Sequence, residues 1–114
     1  MTKNAGTIQE KIVGASMTVA LRGEIDHHGA VKMRTGIDKL IAEKKPSTLI
    51  LDLEEIDFMD SSGLGLIMGR YKKMSEIGGE LILRNPKPSI LKICRLAGLG
   101  RFIKIQTKAQ ENVK

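Results

Sequence analysis

Tryptophan is absent from this 114-residue chain, and Phe58, Tyr71 and Phe102 are its only aromatic side chains. Readers of single-stranded nucleic acid stack bases on grouped aromatic rings, and three scattered rings supply no such platform. Cysteine is nearly absent as well. Cys94 stands alone, so it can form no internal disulfide and has no spaced partners for zinc, which suits a reducing compartment. No apolar run approaches the roughly 18 residues that would cross a bilayer, and Met1–Gly6 is short and polar, without the apolar centre of a secretory leader. The expected location is the cytoplasm, with no membrane partner. Repeats and low-complexity segments are also missing, so one domain is expected over residues 1–114, with a core at about 7–106 and a polar tail at 107–114.

What is present is a hydrophobic content of 41%, enough for one two-layer core, and a net charge of +6. A basic balance is the usual footprint of nucleic-acid binding. Here the charge is segregated. Between Thr48 and Ser62 stand Asp52, Glu54, Glu55, Asp57 and Asp60 with no basic residue among them, so the positive surplus lies wholly elsewhere. With no helix-turn-helix, zinc finger or aromatic ribonucleoprotein motif, the lysines read as a solvated surface and no direct nucleic-acid partner is expected.

Periodicity gives the order of elements. Thr7–Val13 and Ser16–Arg22 form a strand pair around Gly14-Ala15, with Met17, Val19 and Leu21 alternating at period two. Asp26 offers an N-cap, and Ala30, Met33, Ile37, Leu40 and Ile41 repeat at helical spacing until Pro46. Thr48–Leu53 is mostly apolar and reads as a central strand, followed by an acidic loop from Glu54 to Ser62. Leu64, Ile67, Met68, Tyr71 and Met74 predict a second helix ending near Gly78-Gly79. Glu80–Arg84 is a further strand, and Asn85-Pro86-Lys87-Pro88 a rigid turn. Ser89 is expected to cap a third helix carrying Ile90, Ile93, Cys94 and Ala97, closed by Gly98, and Phe102–Ile105 reads as a last strand. Strands alternating with helices imply right-handed parallel crossovers. The fold class is therefore α/β, a mixed sheet whose first strand is antiparallel, with helices packed over it.

Chemistry is sought at the carboxyl ends of the parallel strands, where connecting segments gather. If the strands ending at Arg22 and Leu53 are neighbours, Gly23-Glu24-Ile25-Asp26-His27-His28 and the Glu54–Ser62 stretch emerge side by side. Asp60-Ser61-Ser62-Gly63 then starts the second helix. Local physics allows two readings: a cap through Asp60 or Ser61, or an exposed hydroxyl at a positive helix end where a phosphate would find amides. Other chemistry fits less well. His27 and His28 are adjacent, so on a helix they point about 100° apart and form no ligand pair; no metal is expected. Glu24 and Asp26 could be an acid–base pair, but no substrate pocket is evident and the N-cap explains Asp26. Ser61 lacks the preceding glycine of a nucleophile elbow, and no lysine follows Gly63, Gly65 or Gly69 in the frame of a phosphate loop. Those glycines are expected to permit close packing, and Met33, Met68 and Met74 to fill core or interface. No catalytic residue and no cofactor are expected.

The run Leu51–Lys72, LDLEEIDFMDSSGLGLIMGRYK, resembles the signature of the STAS family, shared by sulfate-transporter tails and anti-sigma factor antagonists. Gly23–His28 is similar to the matching loop of the sporulation-type antagonists that release sigma factor F, and Ile77–Glu80 and Leu96–Leu99 extend the likeness across nearly the whole chain. The resemblance implies a non-catalytic regulator. Its unphosphorylated form would bind an anti-sigma factor that is also a serine kinase, release the sigma factor, and be phosphorylated on Ser61, with a serine phosphatase resetting it. Partner contacts are then expected at Glu24, Asp26, His27, His28, Asp60, Ser61, Ser62 and Gly63. The alternative is an antagonist of a general stress-response sigma factor.

Overall fold

The structure, a computed structural model, describes residues 6–108. Its elements are β1 (Thr7–Val13), β2 (Ser16–Ile25), α1 (His27–Lys44), β3 (Thr48–Met59), α2 (Ser61–Glu76), β4 (Glu80–Arg84), α3 (Pro88–Leu96), a 3-10 turn (Leu99–Arg101) and β5 (Lys104–Gln106). The strands lie in the sheet in their chain order, β1 antiparallel to β2 and every later pair parallel. That is the expected α/β architecture. Because each parallel crossover steps the same way along the sheet and is right-handed, α1, α2 and α3 fall on one face.

Side-chain alternation agrees. Met17, Val19 and Leu21, Leu49, Leu51 and Leu53, and Leu81 and Leu83 join α1 (Met33, Ile37), α2 (Ile67, Met74) and α3 (Ile90, Cys94) in one buried cluster. The intervening residues form the other face, where Thr18, Ile50, Ile82 and Lys104 line up in register across four strands. Helix ends are set locally. α1 stops at Lys45, which takes a left-handed φ of 44° before Pro46. α2 ends in a Schellman motif, the Gly79 amide donating to the Met74 carbonyl and that of Gly78 to the Ser75 carbonyl.

Four local expectations need correction. Glu54–Met59 is not a loop; it continues β3 and pairs with a β2 that itself runs on to Ile25. The third helix begins at Pro88 with Lys87 at the cap position, so Ser89 lies inside the first turn and caps nothing. This follows from proline's fixed φ, which is preset for a first helical residue. Phe102 stands outside the last strand and packs on Tyr71 of α2, ring centroids 5.1 Å apart. Gly65 and Gly69 do not serve close packing, for a Cβ built on either meets nothing within 4 Å.

Candidate functional site

Two helices begin beside each other at the carboxyl ends of β2 and β3. Register shifts between Ala20 and Arg22, and between Gly23 and Glu24, bring Glu24 opposite Phe58 and Ile25 opposite Met59. Gly23 takes a φ of +105° within this irregular stretch, a conformation L side chains rarely adopt. The Asp60 amide then donates to the Ile25 carbonyl at 3.3 Å, tying the start of α2 to the end of β2. Glu24, Asp26, His27 and His28 are thereby brought to the same edge as Asp60, Ser61, Ser62 and Gly63.

The two helix starts are built alike. Asp26 caps α1, its Oδ1 accepting the Gly29 amide at 2.8 Å, and Asp60 caps α2, its Oδ1 accepting the Ser62 amide at 2.8 Å. Between the two capping possibilities at the serine pair, the structure selects Asp60. Backbone carbonyls fill a second position each: Ala30 N–H donates to Asp26 O and Gly63 N–H to Asp60 O. Ser61 and Ser62 therefore sit at a helix start whose Ser62 and Gly63 amides are already engaged, with fewer open donors for an anion than the sequence suggested. Ser61 is exposed, Ser62 half-buried.

The close packing expected at Gly63 is present, but sequence reasoning passed over Gly29, the glycine three residues after the other cap. A Cβ on Gly29 would lie 2.3 Å from the Glu24 carbonyl oxygen, and one on Gly63 would lie 2.1 Å from Met59 Cγ. Both helices start too close to the strand ends to admit a side chain. The signal was legible as a repeated pattern, Asp26-His27-His28-Gly29 and Asp60-Ser61-Ser62-Gly63.

Electrostatics at this edge are partly neutralised. Lys87 Nζ meets Asp57 Oδ1 at 2.6 Å, and the hydrogen bond raises the lysine's pKa; Lys108 pairs with Glu54, and Asp52 Oδ1 accepts the Glu54 amide at 3.0 Å. His27 and His28 meet edge to face with centroids 6.0 Å apart, and among the described residues no group of three or more His, Cys, Asp or Glu converges as a metal site. Among the described residues no helix is long and apolar enough to cross a membrane.

The STAS domain family model matches residues 7–112. The chain belongs to the STAS family. An anti-sigma F factor antagonist of Lysinibacillus sphaericus is 36% identical to this STAS chain over 101 residues, covering 89% of it and 86% of the relative. An anti-sigma-B factor antagonist of Bacillus subtilis is 31% identical over 97 residues, 84% of this chain and 86% of that one. Among solved structures, the anti-sigma factor antagonist SpoIIAA in its unphosphorylated form superposes with a TM-score of 0.76 at 33% identity, covering 92% of both chains. The phosphorylated form of SpoIIAA from Bacillus gives a TM-score of 0.69, again at 33% identity, covering 92% of this chain and 96% of that one.

Proposed function

We propose that this STAS chain is an anti-sigma factor antagonist of the sporulation type, working by partner switching. Its unphosphorylated form binds an anti-sigma factor that is also a serine kinase, across Glu24, Asp26, His27, His28, Asp60, Ser61, Ser62 and Gly63, and so frees sigma factor F. Phosphorylation of Ser61 ends the complex and a serine phosphatase restores it. The observation that carries this reading is the exposed Ser61 on the first turn of α2, beside the strand end that presents Glu24 and Asp26. A phosphoserine adds about −1.5 to −2 charges at pH 7 next to the Asp60 carboxylate, where the Ser62 and Gly63 amides are already bonded. The added charge then meets repulsion and not a cradle. A change of about 1.4 kcal/mol shifts affinity tenfold, so one phosphate inside a desolvated contact suffices without any change of fold. Ser61 is on this reading a substrate of the kinase, and the chain itself catalyses nothing.

The test is a mass measurement after incubation with an anti-sigma F kinase and ATP. One added phosphate is expected, lost in Ser61→Ala; no added mass, or a phosphate that survives the substitution, refutes the reading. The 31% identity to an anti-sigma-B antagonist supports a second reading, the general stress-response pathway. Presenting the chain to both kinases with ADP and asking which one captures it separates the two.

A further inference from the structure

A groove of about 390 Å³ runs between α1 and α2. His27 and Arg34 line it from α1, and Ser62, Gly65, Gly69 and Arg70 from α2, at the spacings that put each set on one helix face. The two glycines leave the floor open, since a Cβ on either would touch nothing within 4 Å. No carboxylate lines the groove among the described residues.

Arg70 is the anomaly. It is only 4% exposed, and among the described residues its one ionic contact is Asp38, whose Oδ1 lies 2.9 Å from Nε without the alignment of a hydrogen bond. Nη1 is sealed from solvent and has no partner. Burial pulls the guanidinium below its ordinary pKa, Asp38 opposes this, and repulsion from Arg34 adds to it, so the two arginines are near enough to feel each other. A guanidinium carries five N–H donors in a planar fork suited to paired oxygens, and a buried donor left unbonded is unfavourable. Two cations facing one groove, with a single neighbouring carboxylate, leave a positive charge to be matched.

We propose that this groove binds an oxyanion, a carboxylate or phosphate group, between Arg34 and Arg70. The anion screens from each other the two arginines that line the groove, with the Ser62 hydroxyl and His27 as further donors at the helix-start end. The site shares His27 and Ser62 with the proposed partner surface but does not include the proposed phosphate acceptor. Ser61 lies about 100° around α2 from Ser62 and does not line the groove.

The experiment is a titration of the isotopically labelled full chain, followed by NMR, with sodium phosphate and separately with sodium acetate at constant ionic strength. Saturable shifts are expected at Arg70 Nε–H and at the Ser62, Gly65 and Gly69 amides. Arg34→Gln, an exposed position, should weaken them at least tenfold, while Lys32→Gln, which removes the same charge from the same helix outside the groove, should leave them unchanged. Arg70→Lys keeps the charge, loses the fork, and should also abolish saturation while the remaining amide spectrum is retained. Tighter phosphate binding identifies a phosphate as the ligand, and tighter acetate binding a carboxylate side chain. Shifts that grow linearly with anion, or that weaken equally in Arg34→Gln and Lys32→Gln, overturn the proposal.

Discussion

Gly63 and Met59 approach so closely that a methyl group on the glycine would come within 2.1 Å of Met59 Cγ, and within 3.3 Å of Ile25 Cγ2. Met59 is only 3% exposed and Ile25 fully buried, so neither can swing into solvent. Gly63→Ala is expected to destabilise the fold by about 1–3 kcal/mol. Gly29→Ala, which meets a backbone carbonyl, should fall at the upper end of that range. Urea midpoints at constant m-value would check both.

Gly65 and Gly69 should respond in the opposite sense. Each is helical with open space where a Cβ would stand, so replacement by alanine removes backbone entropy from the unfolded chain at no steric cost. Gly65→Ala is expected to raise stability by about 0.5–1 kcal/mol, read as a higher melting temperature. The same methyl narrows the groove facing Arg34.

Among the described residues Asp38 is the one carboxylate in ionic contact with Arg70. Asp38→Asn leaves the buried guanidinium without its compensating charge and is expected to cost about 1–3 kcal/mol. A double-mutant cycle with Arg70→Gln, measured by denaturant unfolding, should return a coupling of the same sign and order.

Cys94 is fully buried, and burial pushes its thiol from an ordinary 9.0 up to about 11. The unfolded chain releases this proton from about pH 9 while the folded chain holds it, so the contribution is intact below pH 9 and is lost as pH rises toward 11. Two units correspond to about 2–3 kcal/mol. Stability curves of wild type and Cys94→Ala should therefore converge over that interval.

Much of this was readable in the sequence because the relevant contacts are local or periodic. Met17, Val19 and Leu21 alternate, Met33, Ile37, Leu40 and Ile41 repeat at helical spacing, and Asp26 and Asp60 stand where caps belong. The far half of β3 was not readable. Leu53, Ile56 and Met59 are buried at intervals of three, since the register shifts opposite Ala20 and Gly23 break the period of two that marks a strand. Acidic residues between them then look like a loop. The Arg70–Asp38 pair was hidden for another reason: it joins side chains of two different helices, which no local or periodic pattern links.

The strand character of Glu54–Met59 alters what association involves. A loop at this edge would have to be frozen on contact, at about 1–2 kcal/mol of backbone entropy for each residue fixed. Glu24, Ile25, Phe58 and Met59 are instead held in a ladder, and the Asp60 amide hangs α2 from the end of β2. That ordering is completed when the chain folds. Whatever settles across the two helix starts meets a rigid template and loses little conformational freedom on arrival, so differences among bound species reside in side-chain fit and in how long each stays.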